Sequence, residues 1–421
     1  MMMAAALGVL VSCGSVKSGE EVVAASRDSK VVVAYVTSWS EVMPDPQYMT
    51  HINYAFGHVN ESFNGVKIDN EERLRQIVDL RKQKPELKVL LSIGGWGSGR
   101  FSEMAANDEY RRAFAADCAR VVKEFALDGI DIDWEYPTSS MANISSSPDD
   151  TENFTLLMQD IRAAIGNEKE LTLATVASAR YIDFKAILPS VDFVNIMAYD
   201  MASAPKHHSA LYPSGHSGDI TSDGAVTAHL KAGVPPSKLV MGMPFYGRGG
   251  DGYPSFQDYN KVGNTDTQYT EKWDEVAQVP YLADKNDTLV FGFENPRSLA
   301  IKCQYILDKD LLGGMYWDYS GDNEQGDLRR TVAENLLGKP HKAKVLVLTE
   351  RGGQHGGFTD AGLRWLAAEG AKGNFSITEI NNARNITEAY LSQFSLVIQL
   401  DFPPYTWPKE AEDAFVKYIE E

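Results

Sequence analysis

One short segment carries most of the chemistry: Asp128-Gly129-Ile130-Asp131-Ile132-Asp133-Trp134-Glu135-Tyr136-Pro137. Along an extended strand, successive side chains alternate between faces. Asp131, Asp133 and Glu135 therefore share one face, while Ile130, Ile132 and Trp134 take the other. Three carboxyl groups in a row on a buried face cannot all ionise, so at least one proton is retained at neutral pH. A carboxyl that keeps its proton is a general acid, and Glu135, last of the three, is the natural donor. A structural cluster neutralised by Arg or Lys is the competing reading. It is disfavoured because no basic residue lies on this strand.

The elements that must position these groups read as a repeating alternation from residue 30 onward. Strand candidates are residues 31–37, 51–56, 88–92, 129–134, 171–176, 191–197, 239–244 and 313–317, short runs rich in Val, Ile, Leu or Tyr. Near-continuous hydrophobicity of this kind marks strands buried on both faces. Helix-like segments lie at 71–83, 108–125, 149–165, 223–232 and 296–308, with a closing helix at 324–337. Eight strands alternating with helices predict a (β/α)8 TIM barrel over residues 30–340, with Glu135 at the C-terminal mouth, where barrel active sites sit. About 45 residues between Arg248 and Glu294, rich in Gly, Asp, Asn, Tyr and Thr, predict a small insertion (about 249–294) after strand seven. Gly338-Lys339-Pro340 reads as a stop. A new alternation over 342–421 follows: strands at 344–348, 375–380 and 396–400, helices at 357–368, 387–393 and 409–421. It reads as the truncated front half of a doubly wound α/β domain.

Five motifs, in order, resemble family 18 of the glycoside hydrolases, the chitinase family. Asp128-Gly129-Ile130-Asp131-Ile132-Asp133-Trp134-Glu135 matches the family's DxxDxDxE pattern, and Ser92-Ile93-Gly94-Gly95 its SxGG pattern. Met197-Ala198-Tyr199-Asp200 resembles its strand-six motif, and Met243-Pro244-Phe245-Tyr246-Gly247-Arg248 the end of strand seven. Gly313-Gly314-Met315-Tyr316-Trp317-Asp318 resembles strand eight. The resemblance covers residues 30 to 340. It implies a retaining, substrate-assisted hydrolysis of β-1,4-linked N-acetylglucosamine, in chitin or chito-oligosaccharides, in which the substrate's acetamide oxygen attacks C1. By the same resemblance, Glu135 is acid and then base, Asp133 holds the acetamide nitrogen, and the Tyr199 hydroxyl holds the acetamide oxygen. Asp131 would exchange a proton with Asp133. Tyr35 and Ser92 match positions that hydrogen-bond Asp131, and Met197 and Asp200 would line the −1 subsite above a Trp317 floor. Trp39, Trp96, Tyr136, Phe56 and Tyr246 fall at or just after strand ends, where aromatic faces can meet sugar rings; for Phe56 and Tyr246 core packing is an equal reading. Arg248 would bond a sugar or pair with Asp200, and the sequence leaves both open. Two alternatives keep the fold: an endo-β-N-acetylglucosaminidase on N-glycans, and a chitinase-like lectin that does not cleave. The four intact positions Asp131, Asp133, Glu135 and Tyr199 weigh against the lectin.

Residues 345–421 resemble the start of a trehalose-utilisation-type domain, related in fold to class I glutamine amidotransferases. Val347-Leu348-Thr349-Glu350 and His355-Gly356-Gly357-Phe358-Thr359 carry that similarity. No nucleophilic cysteine is present there, and Gly352-Gly353-Gln354-His355-Gly356-Gly357 lacks the Lys-Ser/Thr of a P-loop.

The balance of 40 basic against 58 acidic residues gives a net charge of −18. That opposes a nucleic-acid partner and suits a neutral sugar. No cofactor is expected, and a monomer is. Cys118 and Cys303 read as small buried residues, with no spacing for a metal or a disulfide framework. His207, His208 and His216 read as part of a solvated loop rather than a metal site. At the N-terminus, Leu10-Val11-Ser12-Cys13 after a short apolar run resembles a bacterial lipobox, with Cys13 as the lipidated residue and 14–29 as tether. No Lys or Arg precedes Lys17, a departure from the usual basic start. The expectation is an exported protein held to a membrane through Cys13, periplasmic or on the cell surface, and otherwise secreted.

Overall fold

The structure, a computed structural model, describes residues 30–250, 253–262, 269–338, 343–349, 356–372, 375–392, 394–400 and 407–420. The lipobox-like segment with Cys13 and residues 350–355 lie outside these. Eight parallel strands close into a barrel: β1 (Val31–Thr37), β2 (His51–Val59), β3 (Lys88–Gly94), β4 (Gly129–Asp133), β5 (Glu170–Val176), β6 (Phe193–Met197), β7 (Leu239–Pro244) and β8 (Gly313–Trp317). Neighbours follow chain order, and β8 and β2 flank β1 to close the ring. All eight expected strands are present. Their ends shift by up to three residues, because the runs at 51–56 and 88–92 continue past their last aliphatic residue.

Two cores follow from the alternation. Outward residues such as Ile130, Ile132, Leu91 and Leu173 pack with helix residues Phe114, Phe154 and Leu157 in one large cluster. Inward residues Val33, Tyr35, Phe193, Val240 and Met315 fill the barrel itself. Helices Asp108–Glu124, Asp150–Ile165 and Pro296–Asp308 sit within two residues of their expected limits. Side-chain caps set several starts. The Asn107 side chain accepts from the Glu109 and Tyr110 N–H groups, and Asn295 forms a capping box with Ser298. The link from β5 to β6 carries only the four-residue helix Phe184–Ile187, too short to show a helical period.

The insertion is a five-stranded antiparallel sheet, ordered Gln257–Asp258, Tyr246–Gly249, Leu289–Gly292, Val279–Ala283, Thr270–Asp274. Phe291, Phe293 and Leu282 form its core. A single residue, Phe245, separates its first strand from the end of β7, so it is a direct outgrowth of the barrel mouth.

The C-terminal unit holds three parallel strands, β9 (Ala343–Thr349), β10 (Phe375–Ile380) and β11 (Leu396–Leu400), with β9 in the centre. Helices Gly356–Lys372 and Lys409–Glu420 alternate with them, matching the expected order. Among the described residues, no helix is long and apolar enough to cross a membrane.

Candidate active site

The register places the carboxylate strand against the glycine-rich end of β3. Asp131 sits opposite Ser92, and Asp133 opposite Gly94. A side chain at Gly94, where φ is +133°, would put its Cβ 2.0 Å from the Asp133 carbonyl oxygen. At Gly95, a Cβ would fall 2.7 Å from the Phe56 ring. The two glycines are thus required by close approach as well as by backbone shape. They let β3 lie tight against β4 and bring Phe56 into the mouth.

Asp131 is wholly buried and accepts four hydrogen bonds. Tyr35 and Ser92 hydroxyls donate to Oδ2 at 2.9 and 2.7 Å. Thr172 Oγ1 and Asn195 Nδ2 donate to Oδ1 at 2.6 and 3.3 Å. Burial raises its pKa, while these donors pull it back. A carboxylate with every acceptor site in use is unavailable as a nucleophile. No hydrogen bond joins it to Asp133, so the expected proton exchange between the two requires Asp133 to turn inward.

Asp133 is its opposite. Its Oδ1 is buried without a protein partner, and desolvation, the neighbouring Glu135 and Asp131 together push its pKa well up. Glu135 lies at the cleft surface with its pKa raised to about 7. Burial is the main cause and the Asp200 charge adds to it, while a hydrogen bond from Tyr136 opposes both. The two carboxyls titrate as a pair, and at neutral pH they hold at least one proton between them.

Asp200 has left-handed backbone geometry, φ 55°. Arg248, on the first insertion strand, grips it with a two-pronged pair at 2.7 and 2.6 Å. His208 Nδ1 lies 3.5 Å away. Burial would raise the Asp200 pKa, but the Arg248 and His208 contacts outweigh it and hold the carboxyl far below its usual range. The choice left open by sequence is settled here: Arg248 pairs with Asp200 and stacks over the Tyr246 and Phe256 rings. The Tyr199 hydroxyl meets the Met315 thioether at 3.8 Å, a weak contact that leaves its proton available.

These groups open onto a cleft of about 740 Å³. Tyr35, Trp39, Phe56, Trp96, Asp133, Glu135, Tyr136, Met197, Tyr199, Asp200, Tyr246, Arg248 and Trp317 line it, while Asp131 and Ser92 lie beneath. Trp317 is the hub of the aromatic floor, stacked on Phe56 at 5.6 Å and tilted against Tyr35 and Trp39. On the opposite lip, Trp96 meets Tyr136, which stacks on Tyr181. Trp39 and Trp96 are 64% and 61% exposed, unusual for tryptophan in a folded domain. Phe56 and Tyr246 serve core and cleft at once: both are buried in their bulk and both contribute to the lining. Sequence reasoning missed Met141, Tyr181, Ile220 and Phe256, which also line the cleft. Residues 177–181, just past β5, were accessible to the strand-end argument; Phe256 was not.

One expectation is corrected. His207 and His208 are buried, 2% and 0% exposed, rather than solvated. His207 Nε2 bonds Asp274 on the insertion at 3.1 Å, and burial lowers its pKa to about 4. His216 stacks on Tyr281. The loop is thus clamped between barrel and insertion. Among the described residues, no group of three or more His, Cys, Asp or Glu could hold a metal ion. Cys118 and Cys303 are buried free thiols, as expected.

Comparison with known proteins agrees with this geometry. Residues 31–322 match the glycosyl hydrolases family 18. Chitinase A1 of Niallia circulans is 30% identical over 409 aligned residues, which cover 72% of this chain and 58% of that protein, so the chain spans less than two thirds of that relative. Chitotriosidase-1 of Mus musculus is 31% identical, with 70% of this chain and 74% of that protein aligned. Among solved structures, a family 18 N-acetylglucosaminidase from Paenibacillus barengoltzii superposes with a TM-score of 0.67 at 32% identity, covering 73% of this chain and 99% of that one. With the carboxylate strand, the double-glycine approach and the tryptophan floor in place, the chain belongs to family 18 of the glycosyl hydrolases.

Proposed function

We propose that the protein hydrolyses β-1,4-linked N-acetylglucosamine polymers, chitin or chito-oligosaccharides, with retention and with the substrate's own acetamide as nucleophile. The observation that carries this reading is the fate of the carboxylates. A retaining enzyme of the two-carboxylate kind needs a free, ionised carboxylate beside its acid. Asp131 is consumed by four donors, Asp200 is locked to Arg248, and Asp133 sits in surroundings that favour its neutral form. No protein carboxylate is left for attack, so the nucleophile must arrive with the sugar.

Glu135 then protonates the leaving oxygen and afterwards deprotonates water. The unpartnered Asp133 Oδ1 takes the acetamide N–H, and the Tyr199 hydroxyl donates to the acetamide oxygen as it becomes part of an oxazolinium ring. Trp317 carries the sugar in the −1 position. The names of the relatives, chitinase and chitotriosidase, support the polymer class. Product analysis tests it, with chitohexaose and a high-mannose N-glycopeptide run in parallel. Release of short chito-oligosaccharides from the first is the expected result. Glycan release from the second alone would move the substrate to glycoproteins, and binding without cleavage would make the protein a lectin. Cellobiosides, which lack the acetamide, should resist cleavage.

We further propose that the enzyme lies outside the cytoplasm, anchored through Cys13, a reading that the lipobox-like Leu10-Val11-Ser12-Cys13 supports. Incorporation of a palmitate analogue that Cys13→Ala abolishes is the expected outcome; equal incorporation by the variant removes the anchor. The order of strands and helices among the described residues after 342 supports a trehalose-utilisation-like domain as its neighbour.

A further inference from the structure

Outside the cleft, three side chains from three segments stand in a hydrogen-bonded line. Ser98 Oγ lies 2.8 Å from His58 Nδ1, and His58 Nε2 lies 2.9 Å from Asp69 Oδ2. His58 is on β2, Ser98 is in the turn that follows β3, and Asp69 follows the short strand Val66–Ile68 that pairs antiparallel with β2. Backbone contacts hold the outer members: Asp69 N–H donates to the Phe56 carbonyl at 3.0 Å, and Ser98 N–H to the Gly95 carbonyl at 3.0 Å.

With a neutral imidazole, elementary chemistry gives this line a direction. An ionised Asp69 can only accept, so His58 Nε2 carries the ring hydrogen. A neutral imidazole then has a bare Nδ1, and the Ser98 hydroxyl must donate to it. The base beside a hydroxyl and the carboxylate that holds its tautomer follow the logic of a hydroxyl nucleophile, with the two ring nitrogens exchanged relative to the usual Ser-His-Asp order. The group is open to solvent: the His58 and Asp69 side chains are 29% and 40% exposed.

A second observation concerns the oxyanion. Among the described residues, no backbone acceptor is found for the N–H groups of Gly99 and Arg100. Gly99 is the residue after the serine, the position from which a backbone N–H meets the oxyanion in many acyl-transfer enzymes. Gly97 and Arg100 bracket it with φ of 83° and 72°, both in the left-handed region. Neither sugar cleavage nor its aromatic cleft uses any of these three side chains.

We propose that Ser98, His58 and Asp69 form a second hydrolytic centre that cleaves esters of small acyl groups. Ser98 Oγ bonds to the acyl carbon as its proton passes to His58 Nδ1. The ester C–O bond breaks, and the departing alkoxide takes that proton and leaves as an alcohol. Water then attacks the acyl-serine, giving a proton to His58. The Oγ–C bond breaks, Ser98 recovers the proton, and the carboxylic acid departs.

The test uses the full chain, p-nitrophenyl acetate and a fluorophosphonate probe, with chito-oligosaccharide cleavage as the measure of an intact barrel. The expected result is mass-spectrometric labelling at Ser98 that His58→Ala abolishes. Ester turnover should be at least about 100-fold above that of Ser98→Ala, the lower range for a positioned base, with sugar cleavage equal in both proteins. An unlabelled Ser98 in wild-type protein that cleaves sugar, together with equal ester turnover in Ser98→Ala, would overturn the proposal and leave the three side chains as a cross-link of the rim.

Discussion

The pH dependence of sugar cleavage follows from the surroundings of Glu135. Its pKa is raised from 4.5 to about 7. At pH 7, a carboxyl of pKa 4.5 is protonated about 0.3% of the time, and one of pKa 7 about half the time, a gain of roughly 150-fold in competent acid. The acid form is present below pH 7 and lost above it. The expected kcat/KM profile therefore falls on its alkaline side with an apparent pKa near 7, a value that belongs to Glu135 and Asp133 jointly. Glu135→Gln keeps the shape of the side chain and removes the proton. It should lower kcat by about 10²- to 10⁴-fold, abolish that limb, and leave oligosaccharide binding in place. Asp200→Asn removes a charge that raises the Glu135 pKa, so its limb should move to lower pH. Initial rates on a chromogenic chitobioside between pH 4 and 9 give all three profiles. A wild-type limb near 4.5, or an unchanged limb near 7 in Glu135→Gln, refutes the assignment of the acid.

Asp131→Asn replaces a saturated acceptor with a group that brings its own donors, and should cost about 2–4 kcal/mol by urea denaturation, the scale of one or two hydrogen bonds to a charge. Gly94→Ala places a methyl carbon 2.0 Å from the Asp133 carbonyl. A loss above about 3 kcal/mol is expected, and an unchanged urea midpoint would contradict the close approach of β3 and β4. Trp96→Ala removes a 61% exposed ring; stability should hold within about 0.5 kcal/mol, while KM for chito-oligosaccharides rises about 2- to 13-fold, the worth of one aromatic contact. An unchanged KM would take Trp96 out of the binding surface.

The barrel was legible because its strands are buried on both faces, which writes them as unbroken aliphatic runs. The carboxylate strand was legible because acids alternate with Ile130, Ile132 and Trp134, a pattern that only a buried strand with a polar interior explains. The insertion was visible as a break in composition, but its sheet was not: Thr270–Asp274 and Val279–Ala283 are paired across an edge-like hairpin with mixed polarity. The histidines misled for a related reason. His207 and His208 stand among polar neighbours in sequence, yet their burial comes from Asp274, 67 residues away, and from Tyr246. Long-range partners of this kind leave no local trace, and the same holds for the pairing of Arg248 with Asp200.

The four donors to Asp131 come from β1, β3, β5 and β6. Two of those strands are not neighbours of β4 in the ring. A single carboxylate therefore acts as a checkpoint on assembly. All four donors that counter its desolvation are in place only once segments spread over about 160 residues have converged, so a partly closed ring leaves a buried carboxyl short of partners. Catalytic competence in this protein is then coupled to the last step of ring closure, and recovery of activity on refolding should trail the return of helical signal.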